Sequence, residues 1–112
     1  MAVEVSLNTS ANPPVTVNPQ IHNVNRGNQT IKWKPASNQN FAFSSLSIDG
    51  NPSCFGTPNV STGEITVTDN NPGTDAYYAY TIKVTSNGVT YSSAPSLPNP
   101  TAQSSGPNIH NV

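Results

Sequence analysis

Two six-residue stretches, PQIHNV at Pro19–Val24 and PNIHNV at Pro107–Val112, differ at one position and hold both histidines of the chain, His22 and His110. Together with Cys54, the sole cysteine, and Met1, the sole methionine, they supply on paper the two-His, one-Cys, weak-Met donor set of a blue-copper centre. The spacing argues against such a centre. A copper loop gathers its Cys, His and Met within a short span, whereas these donors are scattered over the whole chain. Structural zinc asks for four closely spaced ligands, which the same residues do not provide. The expectation is therefore two surface histidines, a small buried or half-buried thiol, and no cofactor.

The stretch DNNPGTD, from Asp69 to Asp75, offers oxygen ligands around a Pro-Gly turn, the kind of donor calcium prefers. It has two carboxylates and lacks the regular acidic spacing of a calcium loop, so an ordinary Asx-type turn is expected. For catalysis there is no nucleophile elbow, no HExxH, no Walker loop and no Cys-His pair close in sequence. Glu64 and Asp69 lie near the two ends of one strand, and charges at strand ends are usually solvated. No enzyme is expected. The aromatic residues are the remaining chemistry. A flat ring can stack on sugar C–H groups, but most of these rings fall on predicted inward faces. Tyr77, of opposite parity to Tyr78 and Tyr80, is the best candidate for an exposed platform; Phe55, in a loop, and Trp33 follow.

These residues must be positioned by short strands. VEVSL puts Val3, Val5 and Leu7 on one face, VTV at Val15 to Val17 is a second run, and Pro19 interrupts it before Ile21 to Val24 resume it. QTIKWK turns Ile31 and Trp33 inward. FAFSSLSI changes parity between Phe43 and Leu46, which predicts a β-bulge near Ser44 and Ser45. EITVT points Ile65 and Val67 inward, with the acidic segment after it read as loop. The last hairpin is the best determined: Asn87-Gly88 is the favoured pair for a type I′ turn, so Ser86 faces Val89, Val84 faces Tyr91 and Ile82 faces Ser93. Tyr78, Tyr80, Ile82, Val84 and Tyr91 then share the inner face. Residues 1–94 form one unit, and 95–112 is a Pro-rich extension that either stays extended or ends in an edge strand.

Short alternating runs with turn signals between them predict an all-β fold: an antiparallel Greek-key β-sandwich of about seven strands, immunoglobulin-like or cupredoxin-like. The strand GNQTIKWKP, the Tyr-rich strand followed by NGVTY, and the stretch GPNIHN at Gly106–Asn111 resemble those of the DP-EP family of small uncharacterised bacterial proteins. The chain differs in having Ala94-Pro95 and Asn99-Pro100 where that family is expected to carry acidic-proline dipeptides. The resemblance implies the sandwich and no activity.

Composition excludes several classes. Only 8% of the 112 residues are charged and the net charge is −1, with Arg26, Lys32, Lys34 and Lys83 the only cations, so no basic surface exists for nucleic acid. No apolar run approaches a membrane span, and MAVEVSL lacks the features of a secretory signal, which leaves the compartment open. Sequons at Asn8, Asn28 and Asn59 are what chance supplies in so Asn-, Ser- and Thr-rich a chain. The expected function is a noncatalytic binding or structural module that self-associates through a strand edge; the alternatives are a carbohydrate-binding module and a metal-binding cupredoxin relative.

Overall fold

The computed structural model describes residues 2–11, 13–50, 52–73, 75–93 and 107–112. Met1 and residues 95–106 of the expected extension lie outside them. Among the described residues there are ten strands and no helix: β1 (Ala2–Leu7), β2 (Val15–Asn18), β3 (Ile21–Val24), β4 (Gly27–Pro35), β5 (Ala42–Ile48), β6 (Asn59–Val60), β7 (Ile65–Asn71), β8 (Ala76–Ser86), β9 (Val89–Ser92) and β10 (Asn108–Asn111). One sheet runs β2-β1-β4-β7-β6; the other runs β3-β10-β8-β5, with β9 also on β8. The two sheets pack into a compact all-β body whose Cα radius of gyration is 13.5 Å.

The strands follow the alternation. Val3, Val5, Ile31, Trp33, Ile65, Val67, Ile82, Val84 and Ile109 are each at most 1% exposed, because period-2 residues on one face are the ones a second sheet covers. Trp33 Nε1–H donates to Tyr80 Oη at 3.0 Å across the sheets, with the rings edge to face at 5.4 Å. Register shifts between Phe43 and Ser45, at the expected bulge. The hairpin pairs Ser86 with Val89 and Val84 with Tyr91, and Asn87 and Gly88 take positive φ of 52° and 78°, as a type I′ turn requires.

Three expectations need correction. The sheets are mixed and not wholly antiparallel: β1 runs parallel to β4, and β3 parallel to β10. Alternation fixes which face a residue occupies, but it does not encode strand direction. Ile21–Val24 does not resume β2; after the cis Asn18–Pro19 bond the chain crosses to the other sheet. Finally, the C-terminal segment is not an edge strand. β10 lies inside the second sheet, between β3 and β8.

The placement of β10 has a simple geometry. Ser93 N–H donates to the Ile82 carbonyl at 2.9 Å, and Tyr80 N–H donates to the Pro107 carbonyl at 3.2 Å. β9 and β10 therefore lie end to end along the same edge of β8, and their inward parity continues unbroken through Tyr91, Ser93, Pro107, Ile109 and Asn111. Where the chain leaves, the Ser93 hydroxyl accepts the Ile82 N–H at 2.9 Å, taking the place of a ladder carbonyl. The final hairpin is one long ladder whose second strand is built from two segments, β9 and β10.

Candidate functional site

The two IHNV segments meet, as neighbours in one sheet, with their registers offset by one residue: Ile109 pairs with His22, His110 with Asn23, and Asn111 with Val24. A one-residue offset sends equivalent side chains to opposite faces. Ile109 is fully buried, whereas Ile21 is 47% exposed. His22 shares the inner face with Val24 and is half-buried, which pushes its pKa down. His110 is on the outer face. The histidines are thus on opposite sides of the sheet and cannot share one ion. Among the described residues no group of three or more His, Cys, Asp or Glu side chains comes together to hold a metal.

On the outer face, His110 joins a row of side chains across three strands. Tyr77 of β8 is its cross-strand partner, and the two rings stack at 4.0 Å with an interplanar angle of 4°. His110 Nδ1 is 3.0 Å from Asn23 Oδ1, and Nε2 is 2.5 Å from Asp75 Oδ1. Both ring nitrogens are held, so the imidazole plane is fixed, and Tyr77 rests on it. Tyr77 is nevertheless 59% exposed. With one face against His110, that exposure belongs to the opposite face and the edges. The Asp75 side chain is 77% exposed, so its carboxylate also reaches solvent beside the ring.

The other aromatic candidates are placed differently. Trp33 is fully buried, a core residue. Phe55 is half-buried and packs edge to face on Tyr78 at 5.2 Å; it also lines an open groove of about 330 Å³ with Leu46, Ile48, Pro52 and Pro58 along β5.

Asp69 and Asp75 are not brought together. The alternation Ile65, Val67, Asp69, Asn71 continues to the end of β7 and carries both polar residues inside, at 0% and 2% exposure. The loop reading of this segment is corrected: the parity signal was present, but the polar residue types masked it. Asn71 Nδ2 donates to the Val24 and Val112 carbonyls at 2.8 and 3.1 Å, gathering the ends of both IHNV segments, while its Oδ1 accepts from Gly73 N–H. Asn111 Nδ2 donates to Asp69 Oδ1 at 3.2 Å and lies 3.8 Å from Cys54 Sγ. Burial, then the Asp69 carboxylate, pushes the Cys54 thiol up, the opposite of an activated nucleophile. Glu64 is on the surface, 3.8 Å from Lys32 Nζ, on the other face of the strand from Asp69.

Comparison with family models, with curated proteins and with solved structures returned no match to this chain.

Proposed function

We propose that this chain is a noncatalytic, immunoglobulin-like β-sandwich binding module whose ligand is a glycan seated on Tyr77. The observation that carries the reading is the exposed Tyr77 ring, held flat against an imidazole that is itself fixed at both nitrogens. A ring fixed before binding loses little entropy when a sugar stacks on it, and the neighbouring Asp75 and Asn23 supply polar groups for hydroxyls. The fold type has its own support. The order β4-β7-β6 in one sheet and β10-β8-β5 in the other follows the B-E-D and G-F-C pattern of a Greek-key immunoglobulin-like sandwich, once β9 and β10 are counted as one interrupted strand. The resemblance to the DP-EP proteins fits a module without an activity of its own.

A glycan array followed by NMR titration tests the reading. Tyr77→Ala is expected to abolish binding while leaving the melting temperature within error, because the ring is on the surface. An array without hits overturns it.

A second reading, pairing with another chain through a strand edge, rests on β5. Asp49 N–H bonds to the Ala79 carbonyl on β8, so by alternation the main-chain groups of Leu46 and Ile48 point away from β8, toward the groove that these two residues line. Light scattering after size exclusion decides the self-association form of it: a strict monomer at high concentration removes that form.

A further inference from the structure

β10 serves two faces. Outward, His110 fixes Tyr77; inward, Asn111 reaches across to Asp69 on the other sheet, and both of these residues are fully buried. The inner pair does not balance. It contains three acceptor oxygens, and the amide's two N–H groups go to Asp69 Oδ1 and toward Cys54 Sγ. Asp69 Oδ2 and Asn111 Oδ1 are left without a donor, although neither touches water. Leaving one buried oxygen unpaired is costly, and burying an ionised carboxylate against one amide N–H and the weakly donating Cys54 thiol is costlier. One proton on Asp69 Oδ2 resolves both defects, removing the charge and giving the amide oxygen a donor.

We propose that Asp69 is held as the neutral carboxylic acid, in a reciprocal pair with the Asn111 carboxamide, and that this pair locks β10 and so regulates the His110–Tyr77 platform on the strand's other face. The regulatory half rests on reading that platform as the binding site. The titratable groups facing the pair are Cys54, from the segment after β5, and Tyr78, from β8; burial pushes both up, so both remain neutral, and it pushes Asp69 up as well. The neighbouring residue from β3 is Val24, which carries no charge. When β10 opens, Asp69 meets water and returns to an ordinary carboxyl near 3.8. The lock is therefore complete below that pH, weakens as pH rises toward the raised value of the closed state, and levels off above it.

Two measurements on the full chain test this. The ¹³C carboxyl shift of Asp69 is expected to stay that of the protonated acid at pH values where the exposed carboxylates have ionised; titration together with them overturns the proposal. Hydrogen exchange of the β10 amides, such as Asn108 N–H on the Gln20 carbonyl and Val112 N–H on the Val24 carbonyl, is then compared between wild type and Asp69→Asn, which keeps the shape and removes the titration. The ratio of rates is expected to be near one at acid pH and to rise by up to about tenfold per pH unit across the window, then plateau; a flat ratio overturns the lock. If Asp69→Asn fails to fold, the carboxyl titration still decides. Neither readout uses a ligand, so an array without hits removes the glycan reading alone, and an ordinary Asp69 titration removes the lock alone.

Discussion

Ile21 and Ile109 occupy the same place in nearly identical hexapeptides, and the one-residue offset between β3 and β10 gives them opposite environments. Ile109→Ala is expected to cost about 2–5 kcal/mol, the range for a buried aliphatic truncation, whereas Ile21→Ala should stay within about 0.5 kcal/mol, as exposed substitutions do. Urea unfolding of the two variants checks the contrast; equal losses would mean that the register is wrong. His22, neighbour to this pair on the inner face, has a pKa lowered by burial. The folded state therefore favours the neutral ring while the unfolded chain takes a proton near 6.5, so stability present above that pH is lost as pH falls below it. His22→Gln is expected to flatten this part of a stability profile measured by urea titration at several pH values. None of this was legible from the repeat alone. Ile-His-Asn-Val has no clear period-2 pattern, so its inner face is set by pairing partners that lie 87 positions apart in the sequence.

At the level of elements, local signals succeeded and long-range ones did not. The Asn-Gly turn, the bulge near Ser44 and the inward face of β8 were readable because each is decided within a few residues. The direction of β1 on β4, the crossing after Pro19 and the insertion of β10 depend on contacts that no short window contains. The C-terminal segment was the instructive case: prolines and polar residues read as a tail, yet Pro107 returns to β8 where Ser93 left it, two residues along the ladder. That is a separation of about 7 Å at ~3.4 Å per strand residue. Replacing residues 94–106 by a two- or three-residue Gly-Ser link is expected to keep the fold, with an amide NMR spectrum unchanged outside the junction. Loss of the β10 signals in that variant would show that the connection has a structural role of its own.

For the whole molecule, the two sheets are joined by apolar packing at one end and by amide groups at the other. Trp33 and Tyr80 bridge the apolar end, while Asn71 and the Asp69–Asn111 pair bridge the polar end. Asn71→Ala removes one amide that serves two carbonyls, Val24 and Val112, and also the acceptor for Gly73 N–H. It is expected to cost about 1–3 kcal/mol, since the Val112 carbonyl and the Gly73 N–H lose a partner while the Val24 carbonyl keeps the Val112 N–H, and thermal unfolding should show it as a lower melting temperature. The candidate platform was only half legible at this scale. The opposite parity of Tyr77 announced an exposed ring, and it is exposed; the imidazole beneath it comes from a segment assigned to the tail, and the carboxylate beside it from a stretch read as an ordinary Asx-type turn.

The interrupted strand has a practical consequence. Because the ladder along β8 stops at Ser93 and restarts at Pro107 with its parity intact, the fold offers a doorway rather than a chain end. A guest domain whose own termini lie close together can be spliced between these two residues and carried on the sheet edge, with host and guest each free to fold as a unit.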